Sequence, residues 1–201
     1  MKNIIKIIFL AVVSVALAIV VEQLVAAMAS AFWQREIVLE SYMHFTWFLA
    51  FSAAIEEISK YWAIYFVIRN KFGLQKIRFV FASLFLGTLW GVLEIGLVLV
   101  SDQKVLSAFQ SGNMEIIFSF ATVVALHALT AYLMGIFISA ETFSGQLKHL
   151  KILFFPVLIH LLFNFLVIQK SGFTNYLVVF SLAAFFLIGT SILALNSKRL
   201  A

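Results

Sequence analysis

About six stretches of this chain are each apolar over the length needed to cross a lipid bilayer, and that fact restricts the possible folds more than any other. They run over 4–28, 44–67, 79–100, 115–139, 152–168 and 176–195, against the roughly 20 residues a spanning helix requires. In lipid every backbone N–H and C=O must be satisfied within the protein, which leaves helices or a closed barrel. Runs this long lack the short alternating segments of a barrel, and a single Pro among 201 residues favours uninterrupted helices. With 64% of residues hydrophobic and 11% charged, too little polar material remains to cover a water-exposed surface; soluble domains carry about 25% charge. Every connection is short. The expected fold is therefore all-α, a polytopic membrane helix bundle forming one domain over 1–201.

Basic residues set the orientation. Lys2 and Lys6, then Arg69, Lys71, Lys76 and Arg78, then Lys148 and Lys151, and finally Lys198 and Arg199 fall on one side. Only Arg35, Lys104 and Lys170 fall on the other. The positive-inside rule then places both termini in the cytoplasm and the chain in the cytoplasmic membrane. Ala27-Met28-Ala29 has the small residues of a signal cleavage site, but the long apolar run before it and Glu22 just ahead of it favour a retained first span. The net charge of +5 is spread thinly over loops, which suits lipid anchoring and not nucleic acid. The absence of Cys removes thiol catalysis, disulfides and thiolate metal sites.

The informative residues are those that cost free energy in lipid, about 2.5–3.5 kcal/mol per charge at the bilayer centre. Glu56, Glu57 and Lys60 lie in the second span, Glu94 in the third, His127 in the fourth, and His160 and Asn164 in the fifth. At about 1.5 Å per residue, Glu56 and His127 sit about 18 Å from the outer face, and His160 about 12 Å from the inner one. These depths define one slab of the membrane, so the side chains should converge on a shared, partly hydrated interior that opens outward through Glu94 and Asn164. Lys60 is three residues from Glu57 and four from Glu56 and can reach either. Adjacent helical carboxylates point about 100° apart, so one can pair with Lys60 while the other faces the cavity. Glu22, near the outer end of its span, is expected to reach water and stand apart from this set.

Several membrane-protease chemistries are excluded. There is no His-Glu-x-x-His, Asp102 is the sole Asp, and no Gly-x-Ser-Gly occurs. A Glu/His/Asn set remains, in which a carboxylate deprotonates water, a His polarises it, and an amide or imidazolium holds the oxyanion. Alternatively His127, His160 and a Glu such as Glu94 could hold a divalent metal such as zinc that generates the hydroxide.

Glu56-Glu57-Ile58-Ser59-Lys60 resembles the EExxK motif of the PrsW family of intramembrane proteases. Trp90-Gly91-Val92-Leu93-Glu94 resembles its second motif, with Trp in place of the more usual Phe. His127-Ala128-Leu129 and His160-Leu161-Leu162-Phe163-Asn164 resemble its histidine motifs. The chain departs further from the related CAAX prenyl protease type II and bacteriocin-processing proteins, having Tyr61 where they carry Arg and Glu94 where they carry His. The resemblance implies an endopeptidase that cleaves single-pass membrane proteins, such as an anti-sigma factor. In it Glu56, Glu57, Glu94, His127 and His160 would be catalytic, with Lys60 and Asn164 supporting them.

Blander assignments compete for some of these residues. Glu57 with Lys60 could be a structural ion pair, and Asn164 could only join helices. Gly87 and Gly91 suit close helix packing, the basic second loop suits anionic lipid, and His44 and His149 carry no expected role. Pro156, one turn before His160, either bends its helix or is tolerated near its start. A proton- or cation-coupled transporter would use similar Glu/His chains, and a catalytically silent peptide-binding relative would make the same contacts.

Overall fold

The computed structural model describes residues 2–33, 46–69, 74–140, 145, 147–168, 181–184, 186–187 and 189–191. Their regular structure is entirely helical: α1 (Lys2–Trp33), α2 (Thr46–Trp62) running on as a π-helix (Ala63–Arg69), α3 (Lys76–Ser101), α4 (Gln103–Gln110), α5 (Met114–Ser139) and α6 (Lys148–Ile168). Among the described residues, four segments, Asn3–Met28, Lys76–Ser101, Met114–Ser139 and Lys148–Val167, are long and apolar enough to cross a membrane. The chain is a helical membrane protein.

The expected second span differs from those four. It is 17 residues of α-helix followed by 7 of π-helix, and it carries Glu56, Glu57 and Lys60. The sixth expected span lies largely outside the described residues, with helix only at 181–184, 186–187 and 189–191. Between α3 and α5, where a plain connection was expected, the chain forms the short helix α4. Asp102 caps its start, its carboxylate accepting from the N–H groups of Lys104 at 2.8 Å and Val105 at 3.2 Å. Asn113 caps α5 in the same way, accepting from Glu115 N at 2.9 Å.

The bundle differs from a soluble domain in having an apolar outside and a polar cluster inside an otherwise apolar core. Large apolar side chains such as Phe9, Leu24, Phe81 and Phe154 are exposed on its outside, while Glu57, Lys60, Ser83, His127, Thr130 and His160 are buried within it. Lipid rewards the first arrangement, and the second is tolerated because each buried group finds a hydrogen-bond partner, Ser83 within its own helix and the others on a neighbouring one.

Small residues bring α3 and α5 together. A Cβ on Gly87 would stand 2.2 Å from the backbone oxygen of His127, and one on Gly91 would stand 2.7 Å from Val124 Cα. Gly135 of α5 returns the contact against Ser83, 2.8 Å from where its Cβ would lie. Such close approach is how helices associate in lipid, where no hydrophobic effect drives them together. The expected packing role of Gly87 and Gly91 is observed. Trp90 Nε1 donates to Ser14 Oγ at 2.8 Å and ties α3 to α1. The α6 helix continues through Pro156.

Candidate active site

Four helices meet around Lys60. Its ammonium, fully buried, donates to Glu57 Oε1 at 2.5 Å, to Thr130 Oγ1 at 3.1 Å, and faces His127 Nδ1 at 2.9 Å. An ammonium has three protons to give and no lone pair, so these three partners use them all. Thr130 can accept because its own proton goes to the backbone oxygen of His127 at 3.2 Å. By the same logic His127 Nδ1 must accept, which leaves the ring proton on Nε2. That Nε2–H points at Glu94 Oε2, 2.5 Å away. The tautomer thus follows from its partners. The Trp90 ring covers the cluster, 5.3 Å from Lys60 Nζ and 5.5 Å from the His127 ring.

His160 has the opposite polarity. Its Nδ1 lies 2.7 Å from Glu57 Oε1, so it donates there, and in the neutral ring Nε2 on its far side is the acceptor. Glu57 therefore receives protons from both Lys60 and His160 and is no free base. The roughly 100° between neighbouring helical side chains turns Glu56 away from this pair and toward the two imidazoles, which meet edge to face with centroids 5.2 Å apart.

Glu56 Oε2 is the notable atom of the site. It is buried and has no hydrogen-bond partner among the described residues; Glu57 Oε2 is the other such oxygen. Glu56 Oε2 lies 3.8 Å from His160 Nε2 and 4.0 Å from His127 Nε2. These gaps are too long for hydrogen bonds, yet a single small species can touch all three atoms. The carboxylate of Glu94 borders this point, and its side chain is 40% exposed.

Glu56, His127 and His160 form a group able to hold a metal ion, their ligand atoms within 4.8 Å of one another. Glu56, and not Glu94, is the carboxylate of that group. The donor polarity fits a divalent metal only in part. A ligating His normally gives its other N–H to an acceptor, as His160 does to Glu57, but the other nitrogen of His127 faces an ammonium. Two ligands are properly backed, whereas catalytic zinc uses three. The arrangement suits a water that donates its two protons to Glu56 Oε2 and His160 Nε2.

Sequence reasoning missed Glu22, Ser52 and Thr130. Glu22 does not stand apart: Ser52 Oγ is 2.7 Å from Glu22 Oε1 and 3.3 Å from Glu56 Oε1, joining α1 to the site. Ser52 lies one turn before Glu56, a spacing that could have been noticed. Asn164, expected to support the site, makes no side-chain hydrogen bond among the described residues. His149, assigned no role, hydrogen-bonds the Tyr61 hydroxyl and packs edge-on to Tyr65 with centroids 5.0 Å apart, outside the site. No family profile, curated protein or solved structure matches this chain.

Proposed function

We propose that this chain is an intramembrane endopeptidase in which Glu56 activates water. The observation that carries it is the buried, unpartnered Glu56 Oε2 held beside two imidazoles of opposite polarity. Ionised Glu56 takes a proton from the bound water, whose second proton points at His160 Nε2. The oxygen adds to the carbonyl carbon of the scissile peptide bond. His127 Nε2–H turns from Glu94 to the oxyanion, a donor of the kind worth about 10²–10³ in rate. The proton on Glu56 then passes to the amide nitrogen, and the C–N bond breaks to give a carboxylic acid and an amine. Glu57 and Lys60 act by holding the two rings in their tautomers.

The substrate on this proposal is a single-pass membrane protein, as the resemblance to the PrsW motifs implies. The enzyme sits in the cytoplasmic membrane with six spans and both termini inside. The test compares new protein N-termini in membranes expressing the wild-type chain with those expressing Glu56→Gln. Cleavage products present only with the wild type support the proposal and name the substrate. No difference, in a host holding the natural partners, sinks it and leaves coupled transport or silent peptide binding.

A further inference from the structure

The contact of Ser52 with two carboxylates poses a proton-counting problem. One hydroxyl carries one proton. It goes to Glu22 Oε1, the nearer oxygen at 2.7 Å, and the 3.3 Å approach to Glu56 Oε1 is then oxygen against oxygen. A second proton between Ser52 and Glu56 removes that conflict. The charge balance points the same way. Glu22, Glu56, Glu57 and Glu94 approach one another from α1, α2 and α3, while among the described residues Lys60 is the one ammonium between them and is paired with Glu57. The ring N–H groups of His127 and His160 that make contacts are directed at Glu94 and Glu57. Three further carboxylates in a low-dielectric interior do not all ionise together.

We propose that Glu22 and Ser52 form a proton relay that switches Glu56 between its acid and its base form. In one state Glu56 carries the proton on Oε1 and donates to Ser52 Oγ, whose own proton points to ionised Glu22. In the other, the Glu56 proton has moved to Ser52 Oγ and the original Ser52 proton to Glu22, leaving Glu56 ionised and accepting from the hydroxyl. No proton is gained or lost. Oε2, on the other side of the Glu56 carboxyl, faces the water throughout. Glu22 is half-buried on α1, as Glu56 is on α2, so the parked proton lies on a neighbouring helix, away from Oε2. Glu22 and Ser52 are positioning residues; the idea rests on Glu56 being the water-activating base.

The experiment is infrared spectroscopy of the purified full chain in lipid nanodiscs, following the C=O absorption of protonated carboxyls, beside the cleavage assay above. The expected wild-type spectrum at neutral pH holds a protonated-carboxyl band that Glu56→Gln removes. Glu22→Gln and Ser52→Ala each shift or abolish the same band, and Ser52→Thr, which keeps the hydroxyl, retains it. Cleavage falls about tenfold or more in Ser52→Ala. The amide absorption in the same spectra reports whether each variant keeps its helices, and if Ser52→Ala does not, Glu22→Gln and Ser52→Thr decide. A band that Glu56→Gln removes but Glu22→Gln and Ser52→Ala leave unmoved overturns the relay, as does a wild type without the band. Wild-type membranes without specific cleavage overturn the peptidase proposal instead, and the infrared result stands apart from that outcome.

Discussion

Lys60 Nζ lies 2.9 Å from Nδ1 of His127, and a cation at that nitrogen forces the imidazole proton to the opposite side of the ring. A lysine deep in the bundle thus sets the direction in which a histidine on another helix can donate. Glu57 does the reverse for His160, holding its Nδ1 proton at 2.7 Å. One buried ion pair gives the two rings opposite polarities.

The two neighbouring glutamates should respond differently to the same substitution. Glu56→Gln is expected to lower cleavage by about 100-fold or more, the contribution of a general base, with a thermal midpoint close to wild type, since its Oε2 has no partner to lose. Glu57→Gln removes the counter-charge of a buried ammonium and should cost about 3–5 kcal/mol of stability. Unfolding of the purified variants in detergent, read beside cleavage in membranes, checks the pair. Equal stability losses would contradict the division of labour.

Replacing Lys60 by Met should destabilise the protein by a similar amount, about 3–5 kcal/mol, because Glu57 is left charged and buried. Lys60→Arg should not rescue it. A planar guanidinium cannot serve three acceptors grouped around one point. Nitrogen-15 NMR of the imidazoles offers a direct check, with His127 in the wild type protonated at Nε2 and His160 at Nδ1.

Gly87→Ala should cost about 1–3 kcal/mol as an overpacked contact, because the new methyl group would collide with the backbone of His127. It should also reduce cleavage by displacing that histidine. Gly96→Ala, in the same helix but with nothing within 4 Å of the added carbon, should be neutral or slightly stabilising. A thermal melt of each variant separates the two.

Prolonged treatment with a strong chelator is expected to leave cleavage intact, since His127 faces Lys60 with the wrong polarity for a metal ligand. Metal analysis of the purified protein should find no stoichiometric zinc. Loss of activity with chelator, restored by adding zinc, would mean that His127 reverses its tautomer and completes a third ligand.

Much of the site was legible in the sequence because burying charge in lipid is costly, so every ionisable residue within a span needs an explanation. That argument alone picked out Glu56, Glu57, Lys60, Glu94, His127 and His160, and helical geometry predicted that the two glutamates would diverge. The spacing allowed Lys60 to reach either carboxylate, and only the packing of α2 against α5 and α6 directs it to Glu57. Ser52 and Thr130 escaped notice because a hydroxyl costs little in lipid and is common in spans for other reasons. Glu22 was misjudged because depth along one helix says nothing of which neighbour faces it. The helix α4 was missed because its amphipathic sequence is only eight residues long and sits between two spans, although Asp102 just before it is a capping signal.

The partners of α2 arrive late. Lys60 reaches Thr130, 70 residues further along the chain, and Glu57 reaches His160, 103 residues away. At roughly 5–20 residues per second of synthesis, α2 emerges from the ribosome several seconds before its partners on α5 and α6. Within α2 Lys60 and Glu57 offset each other's charge, but the pair and Glu56 still lack the polar partners on α5 and α6 that make their burial tolerable, and this opposes release of α2 into lipid alone. Its entry into the bilayer should wait until α5 and α6 have been made, so the chemistry of the site also sets the order in which the protein is assembled by the insertion machinery.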